Sequence, residues 1–221
     1  MTDFSVIPAS RSFRRSPKQQ RGCDRVEVIL AVALKLIARD GVDAVTMKEI
    51  AALSGGPIAS VYQYFPNKSA IIGALHSAYL NSIEKLLDEG VGKASKVITS
   101  EGALALYERA FDLYHQYLTE HPYTLDLLNA VQADKLLSTR DITAVRAQAA
   151  SLFERMNHLV TEDRRQSFSA TLFIFCHAAA STIRLSFMVL SADGDKIIAE
   201  FKSIAQMQLR QYFTSVHPRL A

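Results

Sequence analysis

The sequence predicts an all-α fold, and three observations carry that prediction. Apolar residues recur at three- and four-residue spacing along most of the chain. Capping residues and glycine or proline clusters punctuate those runs. No stretch alternates apolar and polar residues between turn signals as a strand would. At 221 residues, with 49% hydrophobic and 21% charged content, the chain has the composition of one large or two small globular domains and is not disordered throughout.

The chain opens on a polar segment containing serine and proline. Arg11, Arg14, Arg15, Lys18, Arg21 and Arg25 crowd this segment and the start of the next. Residues 1–20 are therefore expected to form a flexible basic arm able to follow a phosphate backbone or enter a minor groove. Asp24 is placed to cap a first helix running to about Arg39. Val28, Ile29, Val32, Leu36 and Ile37 lie on its buried side, and Gly41 ends it. Net charge is only +3, but its distribution is uneven: residues 1–70 carry ten lysines and arginines against six acidic residues, and residues 71–221 carry fifteen against sixteen.

The most informative stretch is Gly41–Leu75. Thr46 and Glu49 form a capping-box pattern, in which the hydroxyl takes a free N–H of the first turn and the carboxylate reaches back to another, so a helix should start at Met47. Ile50, Ala51 and Leu53 give it an apolar face, and the Ser54-Gly55-Gly56-Pro57 cluster stops it. A second helix is expected over Ile58–Phe65, with Pro57 presetting its start and Val61 and Phe65 facing inward. Ile58, Ala59, Ser60, Tyr62, Gln63 and Tyr64 are left facing outward. Small residues at the start of a helix let it enter a major groove, and hydroxyls around it can reach phosphate oxygens, so this surface suits a DNA duplex. Asn67 is expected to cap the next helix, and Lys68 is placed to neutralise a phosphate.

In this order, Gly41, Thr46, Ile50-Ala51, Gly55, Ser60-Val61-Tyr62, Tyr64-Phe65 and Asn67-Lys68 resemble the TetR family of transcriptional regulators, over about residues 21–75. The resemblance implies a three-helix helix-turn-helix DNA-binding domain over residues 21–68. Thr46, Ser60, Tyr62, Tyr64 and Lys68 would hold phosphates. Met47, Ile58, Ala59 and Gln63 would meet base edges, with Lys48 completing the DNA-binding set. Gln63 could pair with adenine and Ile58 could sit against a thymine methyl. Two positions depart from the family pattern: Gly56 stands where valine is usual, and Pro57 where a capping serine or threonine is common.

Beyond Asn67, a fourth helix is expected to about Glu89, with a break over Gly90–Thr99. Helices then follow over Ser100–Thr119, Tyr123–Ala133, Asp141 to about Val160, and Asp163 to about Leu190. After a Ser191–Gly194 turn, the last runs from Asp195 to about Phe213. Residues 69–221 are read as one helical effector-binding and dimerisation domain. From Ala170 to Leu190 the sequence is nearly apolar all round, and such a helix should be buried on more than one side. A second copy of the chain is the natural partner, through the last two helices, as the family resemblance also implies; an internal bundle in a monomer is the competing arrangement.

Tyr107, Phe111, Tyr114, Phe153, Phe173 and His177 are large groups on helices expected to face one another, so they are candidates either for core packing or for holding a small effector. Arg184, in the middle of an otherwise apolar helix, needs a partner to offset its desolvation: a carboxylate of a dimer mate or an anionic ligand.

No phosphate loop, GxSxG, HExxH or Cys/His cluster occurs, so no enzyme, cofactor or metal is expected. Cys23 and Cys176 have no metal-like spacing and are read as reduced structural thiols. No uncharged apolar run of bilayer length and no signal core is recognised, so a cytoplasmic location without membrane contact is expected. The expected function is a ligand-responsive repressor on a pseudo-palindromic DNA operator; the alternative is a helical adaptor using the helix-turn-helix for protein contacts.

Overall fold

The computed structural model describes residues 17–91 and 99–213, which form nine α-helices and two single-turn 3-10 segments, with no strand among them. Most of the arm expected over residues 1–20 lies outside the described residues. Its last four residues are already helical, because α1 spans Pro17–Ala44 and starts seven residues before Asp24. Gly41 does interrupt it: with φ 78° and ψ 164° the backbone leaves helical geometry, in a region that glycine enters without steric cost.

Helices α2 (Met47–Leu53), α3 (Ile58–Tyr62) and α4 (Lys68–Val91) follow. The second of these is three residues shorter than expected, so Gln63 and Tyr64 lie in the turn beyond it. Asn67 caps α4 as expected, its Oδ1 accepting from Ala70 N at 2.9 Å.

The later helices are α5 (Ser100–Glu120), α6 (Tyr123–Ala133), α7 (Lys135–Met156), α8 (Arg165–Met188) and α9 (Ser191–Phe213). Three expected boundaries are corrected. Helix α7 begins six residues before Asp141, because Asp134 is its cap: the Asp134 Oδ1 accepts from Leu136 N at 2.9 Å and Leu137 N at 3.2 Å. Between α7 and α8 the chain makes 3-10 turns over Asn157–Leu159 and Glu162–Arg164, so α7 ends before Val160 and α8 begins after Asp163. Ser191–Gly194 is not a turn but the first turn of α9, where Gly194 N donates to Leu190 O at 2.9 Å.

Gly194 serves a close approach instead. A Cβ added there would stand 2.5 Å from the carbonyl oxygen of Ser186 in α8, so only glycine lets these two helices meet at their connection.

The described chain divides into two compact units, each built of non-contiguous segments and neither cut at the expected 68/69 boundary. One holds the residues up to Ile83 together with Leu118–Arg140. In it α1 packs on α2 and α6, and α2 on α3, around Ile29, Ala33, Ile50, Val61, Ile71, Leu118, Leu128 and Val131. The other holds Glu84–Tyr117 and the residues from Asp141 on. Its core joins Leu104, Tyr107, Leu152, Met156, Phe168, Leu172, Ala205, Leu209 and Phe213.

Helix α8 buries only one side of itself. Phe168, Leu172, Ala179 and Ile183 face the core, while Ile174, Leu185 and Met188 are exposed, as are Val189 and Leu190 just beyond and Ile204 and Met207 on α9. By length and composition alone, Glu162–Met188 is apolar enough to cross a membrane, although the segment carries Arg184.

Replacing Gly194 with alanine is expected to force α8 and α9 apart, at a cost of about 1–3 kcal/mol for an overpacked contact. Thermal unfolding followed by circular dichroism should show a melting temperature lowered by roughly 3–10 °C with little change in helical content.

Candidate nucleic-acid interface and effector residues

A five-residue helix has no stability of its own, so α3 is held from outside. Val61 is completely buried and Phe65, one turn on, is 7% exposed; Phe65 N and Tyr64 N continue the bonding beyond α3 by donating to Val61 O. Anchored there, α3 turns its remaining residues outward. Ile58, Ala59, Tyr62, Gln63 and Tyr64 are exposed and Ser60 is half-buried. The outward set read from the sequence is thus carried by α3 and the turn directly after it.

The approach to α3 is set by α2. Thr46 Oγ1 accepts from Glu49 N at 3.2 Å, which is the expected cap. The reciprocal half of the capping box is not formed: Glu49 Oε1 instead accepts from Arg39 Nη2 at 2.9 Å, and Arg39 also contacts Asp40. That contact holds the Asp40 carboxyl below the usual carboxylate range, chiefly through the hydrogen bond from Arg39. Thr46 and Lys48 are exposed and Met47 half-buried, so two of the three sit open beside α3. Ser54 caps α2 at its C-terminal end and Gly55, at φ 71°, turns the chain.

Lys68 was placed by sequence reasoning on a phosphate. Its ammonium donates to Val42 O at 3.0 Å and Asp43 O at 3.3 Å, satisfying carbonyls at the end of α1. Of its three hydrogens, one is left for an outside acceptor.

One participant was missed. Arg25, counted in the sequence only as part of the basic segment, inserts its guanidinium under the turn: Nε donates to Ser60 Oγ at 3.2 Å and Nη1 donates to Ser54 O. Periodicity could not reveal this, because the contacts are 35 and 29 residues away in sequence. The unusual Gly56 was the available signal.

The residues proposed for an effector divide between core packing and more open positions. Tyr107 and Phe153 belong to the core of the second unit: Tyr107 Oη donates to Phe175 O at 3.1 Å, and burial pushes its phenol well above its usual range. Phe111 stacks on Phe201 at 5.7 Å with the Lys202 ammonium 5.5 Å from its ring. Tyr114 is half-buried on the same helix. Phe173 lies 6.4 Å from the His177 ring and beneath the Arg146 guanidinium at 4.3 Å.

Arg184 is half-buried and meets Ser181 Oγ at 3.5 Å on the exposed side of α8, so within one chain it is not the fully desolvated charge the sequence suggested. A surface groove of about 340 Å³ runs instead along α5, lined by Ala105, Glu108, Arg109, Asp112, Leu113 and Gln116, and includes none of these residues.

Comparison with known proteins agrees with this architecture. Residues 29–75 match the family described as bacterial regulatory proteins, tetR family, and residues 101–213 match a tetracyclin repressor-like C-terminal domain. The chain is 32% identical over 123 residues to a DNA-binding transcriptional repressor TetR of Mycobacteroides abscessus, a match covering 53% of this chain and 58% of that protein. The fold is similar to a TetR-family regulator from Streptomyces coelicolor, with TM-score 0.64, 21% identity, and 86% of this chain and 98% of that one covered. It is also similar to a transcriptional regulator from Pseudomonas aeruginosa PAO1, with TM-score 0.53, 16% identity, and 90% and 96% covered. With the helix-turn-helix and the helical body each matched, the C-terminal match alone spanning half of its length, the chain belongs to the TetR family of transcriptional regulators.

Proposed function

We propose that this regulator is a homodimeric repressor that binds a pseudo-palindromic operator and leaves it when a small molecule occupies the second unit. The observation that carries the DNA reading is the outward surface of α3: Ile58, Ala59, Tyr62 and Gln63 exposed around the buried Val61, with the exposed Thr46 and Lys48 on and before α2. Hydroxyls and ammonium groups there match phosphates, and Gln63 and Ile58 match base edges. The repressor named in the Mycobacteroides relative supports the sign of regulation. A chromosomal target makes the cytoplasm the place of action.

Dimerisation is supported by the exposed apolar side of α8 and α9. Ile174, Leu185, Met188, Ile204 and Met207 leave apolar side chains open on the last two helices, and a second copy placed there would cover them and bring two reading heads to two half-sites. The same burial would account for the membrane-like hydropathy of Glu162–Met188.

Release requires that the effector favour one setting of the dimer, since equal affinity for two states shifts nothing. Helix α4 suits the link, because its residues to Ile83 belong to one unit and those from Glu84 to the other.

Selection from random duplexes at two salt concentrations tests the DNA reading. A palindromic motif is expected with the native chain and should be lost with Tyr62→Ala; no enrichment and no binding at low salt would favour a protein-binding adaptor. Gln63→Ala should flatten base preference within the motif. Lys68→Ala should weaken every site alike and lower the slope of log affinity against log salt by about 0.9, the release of one counterion, while also reducing thermal stability through the loss of its carbonyl bonds. Sedimentation of a Leu185→Glu variant tests the interface: a folded monomer is expected, and an unchanged dimer would move the interface elsewhere.

A further inference from the structure

The guanidinium of Arg25 contacts three consecutive parts of the helix-turn-helix. Its Nη1 donates to the Ser54 carbonyl at the C-terminal end of α2, where the helix dipole favours a cation. Its Nε donates to Ser60 Oγ, in the first turn of α3, at 3.2 Å. Its Nη2 is buried and has no hydrogen-bond partner among the described residues, and it lies against Gly56: a Cβ added at Gly56 would be 2.9 Å from Nη2 and 3.4 Å from Cζ.

Two departures from the family pattern thereby acquire a physical reason. A side chain at position 56 would occupy the space of the guanidinium. Pro57, at the N-cap of α3, provides no side-chain hydrogen bond, and Arg25 supplies the polar tie that the turn otherwise lacks.

A serine hydroxyl carries one hydrogen and two acceptor lone pairs. With one lone pair taken by a cationic donor, the Ser60 hydrogen cannot point toward Arg25, and the bond polarises the hydroxyl into a better donor. We infer that Arg25 is a positioning residue for DNA binding: through Gly56 it fixes α3 on α2, and through Nε it holds the Ser60 hydroxyl as a donor aimed at an operator phosphate. This rests on the reading of α3 as a DNA-binding element. It differs from a direct phosphate contact by Arg25, because Nη2 is enclosed and the other two donating nitrogens are engaged within the protein.

The test uses the full chain and the duplex enriched by the native protein, with affinity measured by fluorescence anisotropy over a range of salt. Arg25→Gln is expected to weaken binding about tenfold, the size of one charge-assisted hydrogen bond, with the salt slope unchanged. Adding Ser60→Ala to Arg25→Gln should cost less than a further twofold, because both changes remove the same contact. Gly56→Ala provides a second route, since its new methyl would displace the guanidinium: affinity should fall as in Arg25→Gln, with helical content by circular dichroism kept at the native level in both variants.

Native affinity in Arg25→Gln or Gly56→Ala would overturn the inference, as would losses that multiply in the double variant. A slope reduced by about 0.9 in Arg25→Gln would make Arg25 itself the phosphate ligand. If the native chain binds no duplex, the DNA reading fails and this role fails with it; if the native chain binds and the variants bind alike, only the role of Arg25 falls.

Discussion

Everything that α3 presents outward depends on the burial of Val61. Five residues make too few internal hydrogen bonds to offset their own ordering, so the helix exists because one side chain is completely enclosed and a second, Phe65, closes the turn after it. Full burial of a valine contributes about 1.5–3 kcal/mol, which is large against the marginal stability of so short an element. With this anchor in place, the outward orientation of Ile58, Ala59, Tyr62 and Gln63 follows from helical geometry alone. Without it they would be residues of a loop.

Around that anchor, long polar side chains do what local capping does only in part. Arg25 joins the end of α2 to the start of α3, Lys68 closes carbonyls at the end of α1, and Arg39 draws Glu49 away from the N-terminus of its own helix. Each brings a cation to backbone or side-chain oxygens near a helix end, where free carbonyls need donors. The basic character of this region therefore serves two purposes. Part of the positive charge is spent on holding the helices together, and only the remainder is open to a polyanion. A count of lysines and arginines overstates the charge available to DNA by the number held in this way.

The second unit is organised on a different constraint, the distance between α8 and α9. Their connection is tight because Gly194 lets the backbone of α9 approach the Ser186 carbonyl, and their contact buries Phe168, Leu172, Ala205 and Leu209. Several of the large aromatic residues are committed to packing in this unit: Tyr107 belongs to its core, Phe153 packs against it, and Phe111 stacks on Phe201 of α9. The apolar residues left on the far sides of α8 and α9 are the ones that packing within one chain does not use.

The sequence by itself determined the all-α class, the helix-turn-helix and its outward set, the Thr46 and Asn67 caps and the glycine break at position 41. These rest on interactions between residues within about four positions of one another, and such interactions are legible as spacing. Helix lengths in the second unit were less legible. Apolar periodicity continues through the 3-10 turns at Asn157–Leu159 and Glu162–Arg164, and Asp134 competes with Asp141 as a start signal on equal local terms. What only the tertiary structure decided was the commitment of long side chains: Arg25 to the turn, Lys68 to α1, Phe111 to Phe201, Gly194 to Ser186. Each joins residues from 8 to 90 positions apart, and a flexible side chain or a missing Cβ carries no periodic trace of the distant group it meets.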